Sequence, residues 1–146
     1  MGALALCKDA LESDSSFMVL MGDDIYEKDD LKELSRHENA VLLIKQENVP
    51  GGRILIDDKS FVSGIREGLV NKGLGEEFVN TGAYLLDKEI FNQDPVLVKE
   101  GEYGLPQTFV ERALNNKDYK VKAVFTESWI NITSPESIKL AEELLK

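Results

Sequence analysis

Residues 17–26 read FMVLMGDDIY, an apolar run from Phe17 to Met21 that stops at Gly22 and two adjacent aspartates, Asp23 and Asp24. An uninterrupted apolar run of strand length is the pattern of a strand covered on both faces, as in a parallel sheet. In open α/β sheets ligands sit outside the carboxyl ends of strands. There an aspartate can hold a hard cation through oxygen, and a glycine lets a substrate approach the backbone. Gly and Asp are also common in turns for backbone reasons alone, so on these residues function and turn stand about level.

The segments around this run alternate between two periodicities. Ala3, Leu4, Leu6, Cys7, Ala10 and Leu11 recur at helical spacing and predict an opening helix with Cys7 on its apolar face. SDSS breaks it, and after the FMVLM strand Asp29 or Asp30 can cap a second helix with a thin stripe of Leu31 and Leu34. Ala40 to Ile44, ILID and FVSGI then read as strands separated by VPGGR and DDKS turns, a small antiparallel excursion. FVNTGAYLL predicts another buried strand, followed by a short helix around Lys88 to Phe91. Thr108 with Glu111 has the spacing of a capping box for a helix carrying Phe109, Val110, Ala113 and Leu114. Val121, Ala123 and Phe125 alternate as a strand, and Ser134 with Pro135 caps a closing helix bearing Ile138, Leu140, Ala141, Leu144 and Leu145. The order predicts an α/β sandwich with an inserted hairpin, residues 1–146 forming a single domain.

Bulk properties exclude several classes. A chain of 146 residues holds one core and buries about 70% of its unfolded surface. With 42% hydrophobic and 30% charged residues the composition is that of a globular protein, and its apolar runs are too short for a bilayer helix. The first residues lack the basic start of a signal peptide, and a lone cysteine cannot form an internal disulfide, so a cytoplasmic location is expected. A formal net charge of −10, spread along the chain, argues against nucleic acid or an anionic membrane as partner. An acidic protein that handles phosphates does so through a divalent cation or a local basic pocket.

Two other stretches carry candidate chemistry. ESWINITSPES places Trp129 and Asn131 at a strand end just before a capped helix, and Asn80, Thr81 and Gly82 offer amide, hydroxyl and open backbone along a strand. Core packing is the alternative for Trp129, and ordinary strand packing for the other three. The glycosylation sequon at Asn131 is discounted in the absence of a secretion signal. His37 lies on a charged helix face and reads as solvated. With no His/Cys cluster zinc is not expected, and no GxSxG or Cys/His arrangement marks a covalent nucleophile.

In this order the motifs resemble the sugar-phosphate nucleotidylyltransferases, the family of glucose-1-phosphate thymidylyltransferase and UTP-glucose-1-phosphate uridylyltransferase. GALALCKDAL resembles the helix after the base-contacting segment, FMVLMGDDIY the strand ending in the metal-binding Gly-Asp, and PGGRILID the turn whose glycine touches the sugar. GIREG falls where Glu-Lys-Pro is expected, VNTGAYLL resembles the sugar-side strand, and WINITSPESIKLAEELL resembles the closing Trp-x-Asp segment and helix.

The resemblance implies a Rossmann-like mixed sheet of the nucleotide-diphospho-sugar transferase type, N-terminally truncated, with an inserted antiparallel hairpin. It implies attack of a sugar 1-phosphate oxygen on the α-phosphorus of a nucleoside triphosphate, with Mg²⁺ as cofactor and pyrophosphate released. Asp23 would be the metal carboxylate and Asn131 would stand at the second metal position; Gly52, Glu67, Asn80, Thr81, Gly82 and Trp129 would line the substrate side. Three departures lead to an expectation of inactivity in isolation. The family's glycine-rich triphosphate loop has no counterpart, Gly68 and Leu69 replace its Lys-Pro, and Asn131 replaces an aspartate. The FMVLM strand should therefore expose an unpaired apolar edge and recruit a partner, either a second copy or a complementing N-terminal chain. The alternative function is a degenerate, non-catalytic sugar-phosphate-binding or assembly module.

Overall fold

The computed structural model describes residues 1–11, 13–46, 52–67, 70–72 and 75–144, and only the backbone of Glu67, residues 70–72 and Leu144. Its organising element is a twelve-residue strand, β7 (Glu76–Asp87), which contains the FVNTGAYLL stretch. β1 (Ser16–Val19), β3 (Ala40–Ile44) and β4 (Arg53–Ile56) all pair with β7 antiparallel. β3 runs along one edge of β7, from Ala40 opposite Leu85 to Ile44 opposite Val79. β1 and β4 share the other edge, β1 against Tyr84 to Asp87 and β4 against Glu76 to Val79. β5 (Val62–Glu67) and β6 (Val70–Lys72) extend the sheet beyond β4, and β10 (Lys122–Thr126) adds to β3 in parallel. The seven-stranded mixed sheet has the antiparallel excursion at one side, as expected.

The sheet is covered on both faces because its central strands alternate apolar side chains to both. On β3, Val41 and Leu43 join Phe17, Ile54, Ile65, Leu86 and Ile90 under α3 (Leu105–Asn115), which contributes Phe109 and Val110. Ala40 and Leu42 face the other way, with Ala83, Leu85 and Val124, under Leu34 of α2 (Lys28–Leu34). β3 is buried along its whole length.

β1 departs from the parallel, two-face-covered strand expected. Among the described residues it pairs only with β7, and antiparallel, because β7 arrives from the inserted hairpin with its direction reversed. Phe17 is buried, but Leu20 and Met21 are exposed and the strand's second edge is unpaired among the described residues. The unpaired apolar edge expected from the sequence is therefore present.

Several local readings are corrected. The opening helix is only α1 (Gly2–Ala5), followed by a 3₁₀ turn at Asp9–Leu11; Met1, Leu4 and Leu11 touch the core, while Leu6 and Cys7 are exposed. A four-residue helix cannot keep an apolar stripe in register over eleven positions. Asp29 and Asp30 lie in the first turn of α2, where they complement its dipole; the cap position is Glu27. α3 begins at Leu105, so Thr108 is inside the helix rather than capping it. Its Oγ1 donates to Gly104 O at 2.6 Å and accepts Val96 N–H at 3.0 Å, tying down a hairpin of β8 (Val96–Lys99) and β9 (Glu102–Gly104). Phe125, the penultimate residue of β10, is 44% exposed and only packs against the buried Phe78, unlike Val121 and Ala123, which are buried. In α4 (Pro135–Leu144), Ser134 Oγ accepts Ser137 N–H as the expected cap, yet Ile138 and Leu140 are 48% and 53% exposed and among the described side chains of the helix only Ala141 is buried; the side chain of Leu144 and all of Leu145 lie outside the described residues. α4 packs chiefly on a short strand, β11 (Trp129–Asn131). No helix among the described residues is long and apolar enough to cross a membrane.

Candidate functional site

The site follows from the way β1 and β4 share one edge of β7. β4 covers that edge up to Val79 and β1 resumes at Tyr84, so the stretch from Asn80 to Ala83 has no strand partner there among the described residues. The ladder to β3 also slips between Val41 and Leu43 at this point, and Gly82 takes φ +81°. A bulge of this kind re-aims side chains and is frequent beside active sites. Local groups satisfy the freed backbone. Asn80 N–H donates to Gly52 O at 3.0 Å, Gly82 N–H to Asn80 Oδ1 at 3.2 Å, and Thr81 O accepts from Tyr26 Oη at 3.0 Å.

Into this gap come Gly52, immediately before β4, and the turn after β1. An open cavity of about 400 Å³ results, lined by Asp23, Gly52, Asn80, Thr81, Gly82, Trp129 and Asn131, together with Met21, Asp24, Tyr84 and Pro106. Larger clefts exist elsewhere, one of about 610 Å³ beside Arg112, but its central charges already pair with each other. Chemistry that a ligand could use is concentrated in the smaller cavity, where residues from distant segments converge.

Asp23 is exposed at the mouth, and its carbonyl accepts Ile132 N–H at 2.7 Å. Asp24 is half-buried and more tightly engaged. It opens β2 (Asp24–Tyr26), which pairs antiparallel with β11 and sets Asp24 opposite Asn131. Opposite residues of an antiparallel pair project to one face. Asn131 Nδ2 accordingly donates to Asp24 Oδ1 at 2.8 Å, and the Tyr26 hydroxyl lies 3.0 Å from Asp24 Oδ2. Burial first, and the Asp24 carboxylate second, push the Tyr26 phenol far above its ordinary value, so it remains a neutral donor.

The remaining sequence-selected residues differ in what they can offer. Thr81 is buried and its hydroxyl donates inward to Leu42 O at 2.8 Å, while the Asn80 amide donates to Tyr84 Oη at 2.7 Å. Trp129 is half-buried, with its indole N–H buried and without a hydrogen-bond partner among the described residues. Glu67 ends β5, and its side chain lies outside the described residues, as do Gly68 and Leu69. Sequence reading assigned no role to Asp24 and missed Tyr26, Met21, Tyr84 and Pro106. Asp24 stood in the quoted motif, but its pairing with Asn131, 107 positions away, has no local signal.

The donor set suits Mg²⁺ in one particular sense. Among the described residues no group of three or more His, Cys, Asp and Glu side chains could hold a metal ion. Asp23, Asp24 and Asn131 offer oxygen only, and Mg²⁺ commonly uses one or two carboxylates and completes its shell with water and substrate phosphate. The residues present fit that arrangement.

No family model matches the sequence. No curated protein matches it either. Solved structures do. A Bacillus anthracis protein assigned as a glucose-1-phosphate thymidylyltransferase, solved with sucrose, superimposes with a TM-score of 0.69 at 21% identity, covering 98% of this chain and 59% of its own. HddC from Yersinia pseudotuberculosis, complexed with GMP-PN, gives 0.60 at 25% identity over 97% of this chain and 61% of its own. The inositol-1-phosphate CTP transferase of T. maritima gives 0.65 at 17% identity over 99% and 60%. The fold is that of the sugar-phosphate nucleotidyltransferases, as the sequence resemblance implied, and this chain spans about 60% of the length of these neighbours.

Proposed function

We propose that this chain carries the sugar-phosphate side of a nucleotidyltransferase site. The supporting observation is the convergence, in one cavity, of seven of the eight residues selected from sequence: Asp23, Gly52, Asn80, Thr81, Gly82, Trp129 and Asn131. In the proposed reaction a sugar 1-phosphate oxygen attacks the α-phosphorus of a nucleoside triphosphate. The bond to the β-phosphate oxygen breaks, pyrophosphate leaves, and a nucleotide sugar remains. Bound Mg²⁺ would supply charge neutralisation at the phosphates. Asp23 and the Asn131 amide oxygen would hold it, while Gly82 and Gly52, which carry no side chain into the cavity they line, would let the sugar approach the sheet. The setting proposed is the cytoplasm, where an exposed thiol such as Cys7 stays reduced.

The first test is pyrophosphate release with Mg²⁺, glucose 1-phosphate and dTTP or UTP, beside calorimetric titration of glucose 1-phosphate. Binding of the sugar phosphate is expected from this chain alone, and Asp23→Ala should weaken Mg²⁺-dependent binding or turnover roughly tenfold to a hundredfold. No binding up to about 10 mM, well above ordinary substrate ranges, overturns the reading. Binding without turnover favours the second reading, a sugar-phosphate-binding module. The amide at position 131 favours that reading too, since it brings no charge to a cation.

The free edge of β1 bears on partners. With Leu20 and Met21 exposed beside a strand whose edge is unpaired among the described residues, the edge would seat a strand from a second copy or from a complementing chain. Sedimentation at micromolar concentration should show a dimer or larger species; a stable monomer refutes self-association.

A further inference from the structure

We propose that Asp24 is a positioning residue that fixes the Asn131 amide so that its oxygen, and not its NH₂, serves a divalent cation in the cavity. This rests on the nucleotidyltransferase reading for its biological meaning, but not for its geometry.

An amide has a donor end and an acceptor end of nearly equal shape, and in a wet cavity either can turn inward. An ionised carboxylate has only acceptors. Asp24 Oδ1 lies 2.8 Å from Asn131 Nδ2, so the NH₂ is committed to Asp24 and the carbonyl oxygen is turned away from it. The strand register makes this pairing obligatory, because β2 and β11 set the two residues directly opposite each other and both line the cavity. Asp24 is itself held. The Tyr26 hydroxyl lies 3.0 Å from its other oxygen and equally close to Thr81 O, so the phenol is bracketed between two acceptors and gives the carboxylate a second contact. Gly82 lies close by, and a Cβ built there would stand 3.2 Å from Asp24 Oδ2, so the carboxylate's place depends on glycine at this position.

The consequence is a pair spanning two strands that carries one negative charge, on Asp24. Asn131 presents the ligand oxygen, and Asp24 supplies the charge behind it and polarises the amide through its N–H. Outer partners of this kind set ligand orientation, and their loss typically lowers metal affinity ten- to a hundredfold. The amide that looked like a loss of charge at position 131 is thus compensated one strand away.

Exchange of the two side chains tests this. Mn²⁺ alone is titrated into the full chain and followed by the electron paramagnetic resonance signal of the free ion, with thermal melting as a fold check. Asp24→Asn should weaken Mn²⁺ binding about tenfold or more, since neither amide then dictates the other's orientation and the charge is gone. The double exchange Asp24→Asn with Asn131→Asp restores both charge and polarity, and should bring affinity back to wild type or above. Asn131→Ala should lose at least as much as Asp24→Asn, and adding Asp24→Asn to it should lose less than Asp24→Asn loses in the wild type, because only the charge and no longer the orientation remains to be lost. Unchanged affinity in Asp24→Asn, an exchange variant as weak as Asp24→Asn, additive losses, or no Mn²⁺ binding by the wild type would each overturn the proposal. If Asp24→Asn does not fold, Asn131→Ala and the exchange variant decide it: a loss in the first with retention in the second is required. Mn²⁺ binding that follows this pattern without glucose 1-phosphate binding defeats the functional reading alone. Sugar-phosphate binding with Mn²⁺ affinity indifferent to Asp24 defeats this proposal alone.

Discussion

A Gly82→Ala variant is expected to lose about 3 kcal/mol of stability, together with ligand binding in the cavity, because left-handed backbone strain and overpacking add. Gly82 sits at φ +81°, where an L side chain strains the backbone whatever space it finds. Space is also short, for the new Cβ would stand 2.5 Å from Met21 Cγ. Met21 is partly exposed at the end of β1 and can shift outward, so that contact alone is not prohibitive. Asp24 is less free, held by Asn131 on one oxygen and by Tyr26 on the other. The backbone cannot relax toward an ordinary strand either, because the slip against β3 and the inward Thr81 hydroxyl bond to Leu42 fix the bulge. Urea unfolding of the variant beside wild type measures the loss. A change below about 0.5 kcal/mol, within the range of ordinary surface substitutions, would mean that the bulge is soft and does not define the site.

The bulge also marks where sequence reading stopped. Elements whose pattern is carried by their own residues were legible. Ala40 to Ile44, five apolar residues in a row, forms β3 with the expected ends and complete burial. Ser134 and Pro135 start α4 as their chemistry requires. Failures occur where the deciding partner is far away in sequence. Leu6 and Cys7 fit a helical stripe, but the stripe has nothing to cover it, and the helix ends after Ala5. Thr108 has the spacing of a capping box, yet the β8–β9 hairpin uses its hydroxyl and the helix starts before it. In the site, the glycines and the first aspartate were visible because family-like motifs surround them. Asp24 stood beside Asp23 as a candidate but received no role of its own, since that role depends on β11 arriving opposite it. FVNTGAYLL is continuous as a strand, and nothing in its letters says that one edge is shared by β1 and β4 with a gap between them. The cavity exists because of that gap.

At the opposite end of β7, Arg112→Met is expected to destabilise the chain by about 3 kcal/mol, since removing one partner of a poorly solvated ion pair leaves the other uncompensated. Arg112 on α3 reaches Asp87, the last residue of β7, at 2.7 Å, with side chains 11% and 26% exposed. Asp87 is enclosed by further bonds, its second oxygen accepting from Asn39 Nδ2 at 3.1 Å and its N–H donating to Asn39 Oδ1 at 2.8 Å. The guanidinium also lies over the Tyr119 ring, 3.7 Å from its centroid, and burial pushes that phenol well above its ordinary value despite the opposing effect of Arg112. One cation thus joins α3, the end of β7, the residue preceding β3 and the approach to β10. Methionine keeps the side-chain bulk but offers nothing to the carboxylate. Asp87 retains some solvent, so the loss should fall short of the roughly 5 kcal/mol seen at fully buried sites. Asp87→Leu alone should be comparably harmful, whereas the double variant should recover part of the loss, because no charge is then stranded. A double-mutant cycle by urea denaturation reads the coupling directly, and about 2 kcal/mol is expected. Additivity within about 0.5 kcal/mol would show that water, rather than Arg112, satisfies Asp87.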